Sequence, residues 1–229
     1  MKSSARLSSG ERRQAIVEAV REVFAEKGFD GTTTRALAGA AGVSEALLYK
    51  HFPSKQSLYD AMLEACTQGP GFAEFNRILA LEPSTSTLVV MVYFTIHHYV
   101  QCRAGDRHQP SMNCLLARSL LGDGEFVRLT HKKFARVWIK KFESCMKAAA
   151  ATGELLAQPL RSELGFWFIH HVAFSLMLHL RPAIPAIDYR VSKEALVEQA
   201  TGFALRGLGV TEKAIQRYFN PKALLLFGD

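Results

Sequence analysis

The chain has 229 residues, of which 48% are hydrophobic and 21% are charged, and its formal net charge is +7 at pH 7. This composition excludes a disordered chain, because it supplies enough apolar side chains for a large core in one domain or two. The positive charge permits a polyanionic partner but does not locate one, since the first 60 residues hold nine Lys and Arg against seven Asp and Glu.

The cysteines and the apolar segments indicate the compartment. Four widely spaced cysteines form no C-x-x-C pair, and the first residues lack the apolar stretch of a signal peptide, so we expect free thiols in a reducing cytoplasm. The most apolar run, Phe166–Leu180, has about 15 residues, whereas a membrane span needs about 20. We therefore expect a soluble cytoplasmic protein without a membrane partner. The cysteines are Cys66, Cys102, Cys114 and Cys145.

Apolar residues recur at intervals of three and four along the chain, which predicts an all-α fold. Ser8, Thr33 and Ser44 are the expected N-caps of the first three helices. In chain order, the predicted helices cover residues 8–28, 33–41, 44–52, 55–68, 72–81, 86–103, 111–121, 124–151, 160–181, 192–208 and 212–218.

Two of these helices lie close together between Thr32 and Lys55, and their short connection predicts a helix-turn-helix. Gly42 can adopt the left-handed backbone that the turn requires, and Val43 and Leu48 supply apolar anchors. The second helix of such a pair can lie in the major groove of DNA. An ordinary helical hairpin is the alternative. The polar side chains expected on the outward side are those of Thr34, Arg35, Ser44, Tyr49, Lys50, His51 and Lys55.

The stretches AEKGFDGTTTRALAGAAGVS and LLYKHFPSKQSLYDAML carry a more specific pattern. From Glu11 to about Leu63, the chain resembles the DNA-binding domain of the TetR/AcrR family of bacterial transcriptional regulators. The resemblance implies an all-α protein with an N-terminal three-helix helix-turn-helix DNA-binding domain, residues 1–55. A larger helical ligand-binding and dimerisation domain, residues 56–229, would follow. It also implies that Phe52 packs in the core rather than on DNA.

The resemblance further implies that nine side chains contact a double-stranded DNA operator. Ser44 and Lys55 would each take a phosphate. Glu45 departs from the family pattern, and it either accepts a hydrogen bond from a cytosine N4 or favours the helix N-terminus. Leu47 also departs from it, and it either touches a thymine methyl or turns inward. The nine are Thr34, Arg35, Ser44, Glu45, Leu47, Tyr49, Lys50, His51 and Lys55.

Aromatic and histidine side chains recur at helical spacing in the second domain. They can line a ligand cavity between helices, since such cavities combine apolar walls with a few polar groups, or they can form a plain core. His98 and Cys102 have a metal-ligand spacing, but no further ligand can be placed, so neither a metal nor another cofactor is expected. The residues predicted to surround an apolar or aromatic effector are Phe94, His97, His98, Cys102, Phe134, Trp138, Phe142, Trp167, His170, His171 and Phe174.

The last two long helices are expected to pair with a second copy of the chain. The helix Ser162–Leu180 is apolar nearly all round, which predicts burial on more than one side. Small residues on the helix 192–208 would allow close packing against a symmetry mate, so that two helices from each subunit form a four-helix bundle. The predicted interface residues are Leu196, Ala200, Phe203, Ala204 and Gly207.

These features predict a homodimeric transcription regulator, in the first place a repressor that leaves a palindromic operator when a small effector binds. The alternative is an activator, or a constitutive repressor whose second domain only dimerises. An enzyme is not expected, because the chain lacks a nucleophile elbow, a phosphate-binding glycine loop and an H-E-x-x-H motif.

Overall fold

The computed structural model describes residues 8–66, 71–101, 116–122, 124–156, 160–182 and 184–225. Over these residues the chain is helical, apart from turns, loops and one isolated antiparallel bridge between Leu155 and Val210. The helices are α1 Ser9–Lys27, α2 Thr34–Ala40, α3 Glu45–His51, α4 Lys55–Cys66, α5 Gly71–Ala80, α6 Thr85–Gln101, α7 116–121, α8 Glu125–Thr130, a π-helical turn His131–Ala135, α9 Arg136–Ala151, α10 Ser162–Leu180, α11 Lys193–Gly207, α12 Glu212–Tyr218 and α13 Pro221–Leu225.

The all-α prediction is confirmed, with two local differences. The single helix predicted over 124–151 is interrupted by the π-helical turn, which separates α8 from α9. Such turns insert one extra residue into the helical ladder, and hydrophobic periodicity does not reveal them. The short helix α13 was not predicted; it begins with Pro221, a residue suited to the first helical position. None of the helices in the described ranges is long and apolar enough to cross a membrane.

The chain divides into two compact units. The first unit comprises Met1–Gly69 and Arg107–Lys132, and the second unit comprises Pro70–Asp106 and Lys133–Asp229. The predicted boundary after residue 55 does not coincide with this division. The reason is that α4 packs against α1 and buries Leu58, Tyr59 and Met62, so α4 belongs to the core of the first unit.

Helix α6 is the centre of the second unit. It contacts α5, α9, α10, α11 and α12, and it buries apolar side chains from Leu88 to Val100 on all sides. The sequence predicts burial on more than one side for α10 instead. Within one chain α10 does pack against more than one neighbour, namely α6, α9 and α11, while Leu164, Phe168 and Leu178 remain exposed.

A carboxylate ties three helices of the second unit together. Glu154 follows α9 and accepts hydrogen bonds from the hydroxyls of Thr85 at the start of α6, of Thr152 at 3.0 Å and of Tyr218 on α12 at 3.1 Å. These bonds, the one from Thr85 foremost, hold the pKa of Glu154 below its ordinary value of 4.5. A carboxylate that accepts several hydrogen bonds is stabilised in its charged form.

Glu154→Gln is expected to lower the free energy of unfolding by about 1–3 kcal/mol at pH 7, because an amide replaces a charged acceptor. Since the folded pKa lies below the unfolded one, the carboxylate's contribution is present above about pH 4.5 and is lost as the pH falls through the folded value. The deficit of the variant should therefore shrink at pH 3. Urea unfolding at pH 7 and pH 3 measures the difference in free energy of unfolding between the variant and the parent. Glu198→Gln on the exposed side of α11 is the control. An equal deficit at both pH values would contradict the assignment.

Candidate functional site

The helix-turn-helix of the first unit consists of α2 and α3. Thr33 caps α2 by accepting a hydrogen bond from the Ala36 amide at 3.2 Å, and Ser44 caps α3 by accepting one from the Leu47 amide at 3.2 Å. Between them Gly42 has φ +63°, the left-handed conformation that favours glycine. The predicted caps and the predicted role of Gly42 are therefore confirmed.

The inner face of α3 is anchored in the core of the first unit. Leu48 and Phe52 are buried, and the guanidinium of Arg13 on α1 lies 4.6 Å from the centroid of the Phe52 ring. The prediction that Phe52 packs in the core is confirmed. Because α3 is held from this side, its opposite face is presented outward.

The outward face of α2 and α3 carries most of the predicted DNA contacts. Arg35, Ser44, Glu45, Tyr49 and Lys50 are exposed, whereas Thr34, Leu47 and His51 are partly buried. The hydroxyls of Thr34 and Tyr49 lie 3.2 Å apart and form a hydrogen bond between the two helices. The sequence did not predict this pair, which couples the start of α2 to the middle of α3.

The two unusual residues of α3 differ in their surroundings. Glu45 is exposed in the first turn of α3, so both of its predicted roles remain open predictions. Leu47 is partly buried, which favours the inward alternative. The Ser44 oxygen accepts the cap bond, and its hydroxyl proton remains able to donate to a phosphate.

Lys55 is held by the chain itself. Its Nζ donates to the carbonyl oxygens of Phe29 at 2.7 Å and Thr32 at 3.0 Å, and it lies 4.2 Å from the centroid of the Phe29 ring. An ammonium group has three protons to donate. Two of them are used within the first unit, so the predicted phosphate contact of Lys55 has one N–H left.

One aromatic cluster of the second unit surrounds Phe75 on α5. The centroid of its ring lies 4.8 Å from that of Phe94, 5.4 Å from that of His98 and 4.9 Å from that of Trp138. The structure thus brings together three of the predicted pocket residues from α6 and α9. Phe75 itself was not predicted, although its position among the apolar residues of the amphipathic helix α5 could have indicated it.

A second cluster surrounds a polar pair. The hydroxyl of Tyr99 on α6 lies 3.0 Å from Nε2 of His170 on α10. Phe174 stacks on the imidazole of His170 at a centroid distance of 6.1 Å, and Trp167 meets it edge-on at 5.8 Å. Three predicted pocket residues are therefore adjacent, and Tyr99, which was not predicted, joins them.

Among the residues that the structure describes, several of the predicted pocket residues pack directly on one another. The cavity between α6, α9 and α10 has a volume of about 10 Å³, which suits a single water molecule. It is lined by Met91, Val92, Thr95, Trp138, Phe142, Phe166 and Ile169. Of the predicted set, only Trp138 and Phe142 line it, while Phe94 is buried in the core instead.

The remaining predicted pocket residues are dispersed. His171 is exposed on α10, where its ring stacks with that of Trp167, and its placement in a pocket stays a prediction. His97 stacks on Tyr93 with centroids 5.5 Å apart, and Phe134 lies partly buried in the π-helical turn. Cys102 lies outside the described residues. Among the residues that are described, no group of three or more His, Cys, Asp and Glu side chains is arranged to hold a metal ion.

The predicted dimer interface is divided between two sides of α11. Phe203 is 67% exposed and Gly207 is exposed, but Leu196 and Ala200 pack against the core. Ala204 is buried in the core of its own chain, so a lone chain does not present it to a partner, and its assignment to the interface stays a prediction. The cause is that α11 packs against α6 through this side.

The outward stripe of α10 supplies interface candidates that the sequence reasoning missed. Leu164, Phe168 and Leu178 are all exposed although they are large and apolar. Their spacing of four and ten residues places them on one face of the helix. That spacing was visible in the sequence, but the apolar residues on the other faces of α10 concealed it.

Comparisons with known proteins show which proteins this chain is similar to. Residues 16–62 match the model of a family described as bacterial regulatory proteins, tetR family. A nucleoid occlusion factor, SlmA of Marinobacter nauticus, is 29% identical over 145 residues, which are 63% of this chain and 69% of that protein. The chain spans a smaller share of other SlmA proteins, for example 38% of that of Aliivibrio fischeri.

Two further proteins match over most of the chain. The HTH-type transcriptional repressor KstR2 of Rhodococcus jostii is 24% identical over 195 residues, 84% of this chain and 91% of that protein. The structure of AibR in complex with isovaleryl coenzyme A and operator DNA is 18% identical, with a TM-score of 0.61, and covers 88% of this chain and 100% of that one. At this level of identity, the structural likeness shows the fold.

Proposed function

We propose that this chain, whose residues 16–62 match the tetR family of bacterial regulatory proteins, is a DNA-binding transcriptional regulator and a ligand-responsive repressor. In this proposal a homodimer binds a palindromic operator and is released by a small apolar or aromatic effector. The observation that carries it is the outward face of α2 and α3, with Arg35, Tyr49 and Lys50 exposed over the buried Leu48 and Phe52.

DNA recognition is assigned to α3. A helix of this kind enters the major groove, where exposed side chains reach base edges and phosphates. Arg35 and Lys50 supply positive charge for phosphates, and Tyr49 supplies a ring and a hydroxyl. The Thr34–Tyr49 hydrogen bond supports this assignment, because it holds the tyrosine before DNA arrives.

Dimerisation is assigned to the outward sides of α10 and α11. Phe168 and Phe203 are large apolar side chains that a lone chain leaves in water, and such side chains are typical of an interface. A two-fold dimer presents two copies of α3, and each copy reads one half-site of a palindrome.

The effector is assigned to the aromatic core of the second unit. The small cavity there has an apolar lining, and Thr95 Oγ1 already donates to the Met91 carbonyl at 2.8 Å, which favours an effector with an apolar body. This cavity holds about one water, so an effector that binds there requires a more open conformation and shifts the population towards it. The AibR structure, which contains isovaleryl coenzyme A and operator DNA, supports a regulator that binds both kinds of ligand.

Selection of bound fragments from random duplex DNA, at two salt concentrations, tests the DNA part of the proposal. We expect a palindromic motif whose affinity falls steeply with salt. Salt-sensitive binding without a motif would contradict operator recognition. Once the operator is known, apolar and aromatic compounds are screened for those that raise the melting temperature of the protein. Each of these compounds is then titrated into the complex of protein and operator. Operator affinity that is unchanged at saturating effector would exclude release and favour a regulator whose second domain only dimerises.

A second candidate is a role in nucleoid occlusion. The observation that favours it is the 29% identity to the Marinobacter nauticus factor, whose matched region extends beyond the helix-turn-helix domain. Mapping the bound sites along the chromosome, together with transcript levels with and without the protein, separates the two. Changed transcripts confined to genes beside the bound sites favour the repressor, whereas bound sites without changed transcripts favour the second candidate.

A further inference from the structure

Lys55 links the start of α4 to the loop between α1 and α2. Its ammonium donates to the carbonyl oxygens of Phe29 and Thr32, at 2.7 and 3.0 Å, and lies over the Phe29 ring at 4.2 Å. A hydrogen bond with one charged partner is stronger than a neutral one, and a cation over an aromatic face adds to it. The three contacts fix the loop at both of its ends.

The loop that Lys55 holds has little freedom of its own. Gly28 has φ +70°, and a Cβ at Gly31 would lie 2.3 Å from the Lys27 carbonyl oxygen. The buried hydroxyl of Thr32 donates to the Gly28 carbonyl at 2.6 Å. The next residue, Thr33, is the N-cap of α2. The position of the loop therefore sets where α2 begins.

The start of α2 is coupled in turn to α3. Thr34 is the first residue of α2, and its hydroxyl bonds to that of Tyr49 at 3.2 Å. A continuous set of contacts thus runs from Lys55 through the loop to the exposed side chains of the DNA-binding face.

We propose that Lys55 is a positioning residue for DNA binding: it holds the loop between α1 and α2, and thereby α2 and Tyr49, in the orientation that binds DNA, without contacting a phosphate itself. The inference rests on the proposed recognition of an operator by α3. It replaces the phosphate contact that the resemblance implied for Lys55, and the two roles predict different dependence on salt.

Lys50 offers a matched control. It lies five residues earlier, it carries the same charge, and it is exposed on α3. A phosphate contact releases counterions, so removing one lowers the slope of log affinity against log salt by about 0.9 per subunit. Lys50→Met should show that change. Lys55→Met should instead weaken operator binding about tenfold at every salt concentration, with the slope of the parent protein.

Amide hydrogen exchange without DNA gives a readout that is independent of operator binding. In Lys55→Met, the amides of residues 28–34 should exchange at least about tenfold faster, because loop opening has become easier. In Lys50→Met they should exchange as in the parent. If the parent itself selects no operator, the proposed recognition fails, but the exchange experiment still tests whether Lys55 holds the loop.

Phe29→Leu extends the test in case Lys55→Met does not fold. It removes the aromatic face under the ammonium and leaves every charge in place, so we expect weaker operator binding at unchanged salt slope and faster loop exchange. The proposal is overturned if Lys55→Met lowers the salt slope as Lys50→Met does, and also if the loop exchange stays at the parental rate. It is equally overturned if Phe29→Leu and Lys55→Met both bind the operator like the parent.

Discussion

Tyr49→Ala is expected to weaken operator binding about a hundredfold and to leave the stability of the first unit nearly unchanged. The side chain of Tyr49 is 46% exposed on the outward face of α3 and lies outside the core that Leu48 and Phe52 form. A hydrogen bond to a charged phosphate contributes about 1.5–3 kcal/mol, and a dimer loses two of them, which is equivalent to two or more decades of affinity. Fluorescence anisotropy with the selected operator measures the loss.

Two controls separate the contribution of the Tyr49 hydroxyl to operator binding from any loss of stability. Tyr49→Phe keeps the ring and removes the hydroxyl, together with its bond to Thr34, so it isolates the polar contribution. Thermal unfolding of Tyr49→Ala should match that of the parent, because large losses of stability come from the core. Parental operator affinity in Tyr49→Ala would show that the outward face of α3 does not contact DNA as proposed.

Phe168→Asp is expected to convert a dimer into monomers and, through that change, to abolish tight operator binding. Phe168 is 52% exposed on the outward stripe of α10, so the substitution leaves the core of the second unit intact. In a dimer this position would be buried, and an unpaired carboxylate there would cost several kcal/mol in each subunit. A monomer reads one half-site and loses the advantage of binding two sites at once.

The matched control is Val137→Asp on α9, where the parent side chain is 54% exposed. It introduces the same charge at an apolar site of similar exposure, but on a helix that is not assigned to the interface. Sedimentation velocity at micromolar concentration should find Phe168→Asp monomeric and Val137→Asp dimeric. If both variants sediment like the parent, the interface does not include the outward stripe of α10.

The proposed regulator thus depends on two surfaces that the fold presents differently. The face proposed to bind DNA lies within one chain, where α2 packs against α1 and α3 packs against α2. The apolar stripe of α10 is exposed in one chain and is proposed to be covered by a second copy of the chain. A variant that damages only one of these surfaces should leave the other measurable, which is why operator affinity and oligomeric state are assayed separately.

The helix-turn-helix could be predicted from the sequence alone, because it depends on interactions between residues that are close in the chain. The caps at Ser8, Thr33 and Ser44 each depend on an amide only three residues further along, and the turn depends on one left-handed glycine, Gly42. Interactions of this kind are determined by neighbouring residues, so they can be read without knowing the fold. The all-α class followed in the same way from the periodicity of apolar residues.

The tertiary structure alone decided which side of each helix faces the core and what the long polar side chains reach. Lys55 bonds to carbonyls 23 and 26 residues earlier, and Glu154 accepts from hydroxyls 69 and 64 residues away. Ala204 and Phe203 are neighbours, yet one lies in the core and the other in water. Such outcomes depend on which helices pack together, and periodicity cannot rank the faces of a helix as uniformly apolar as α10. The sequence by itself therefore determined the helices and the DNA-binding motif, whereas packing between distant segments decided the core, the exposed stripe of α10 and the contacts of Lys55.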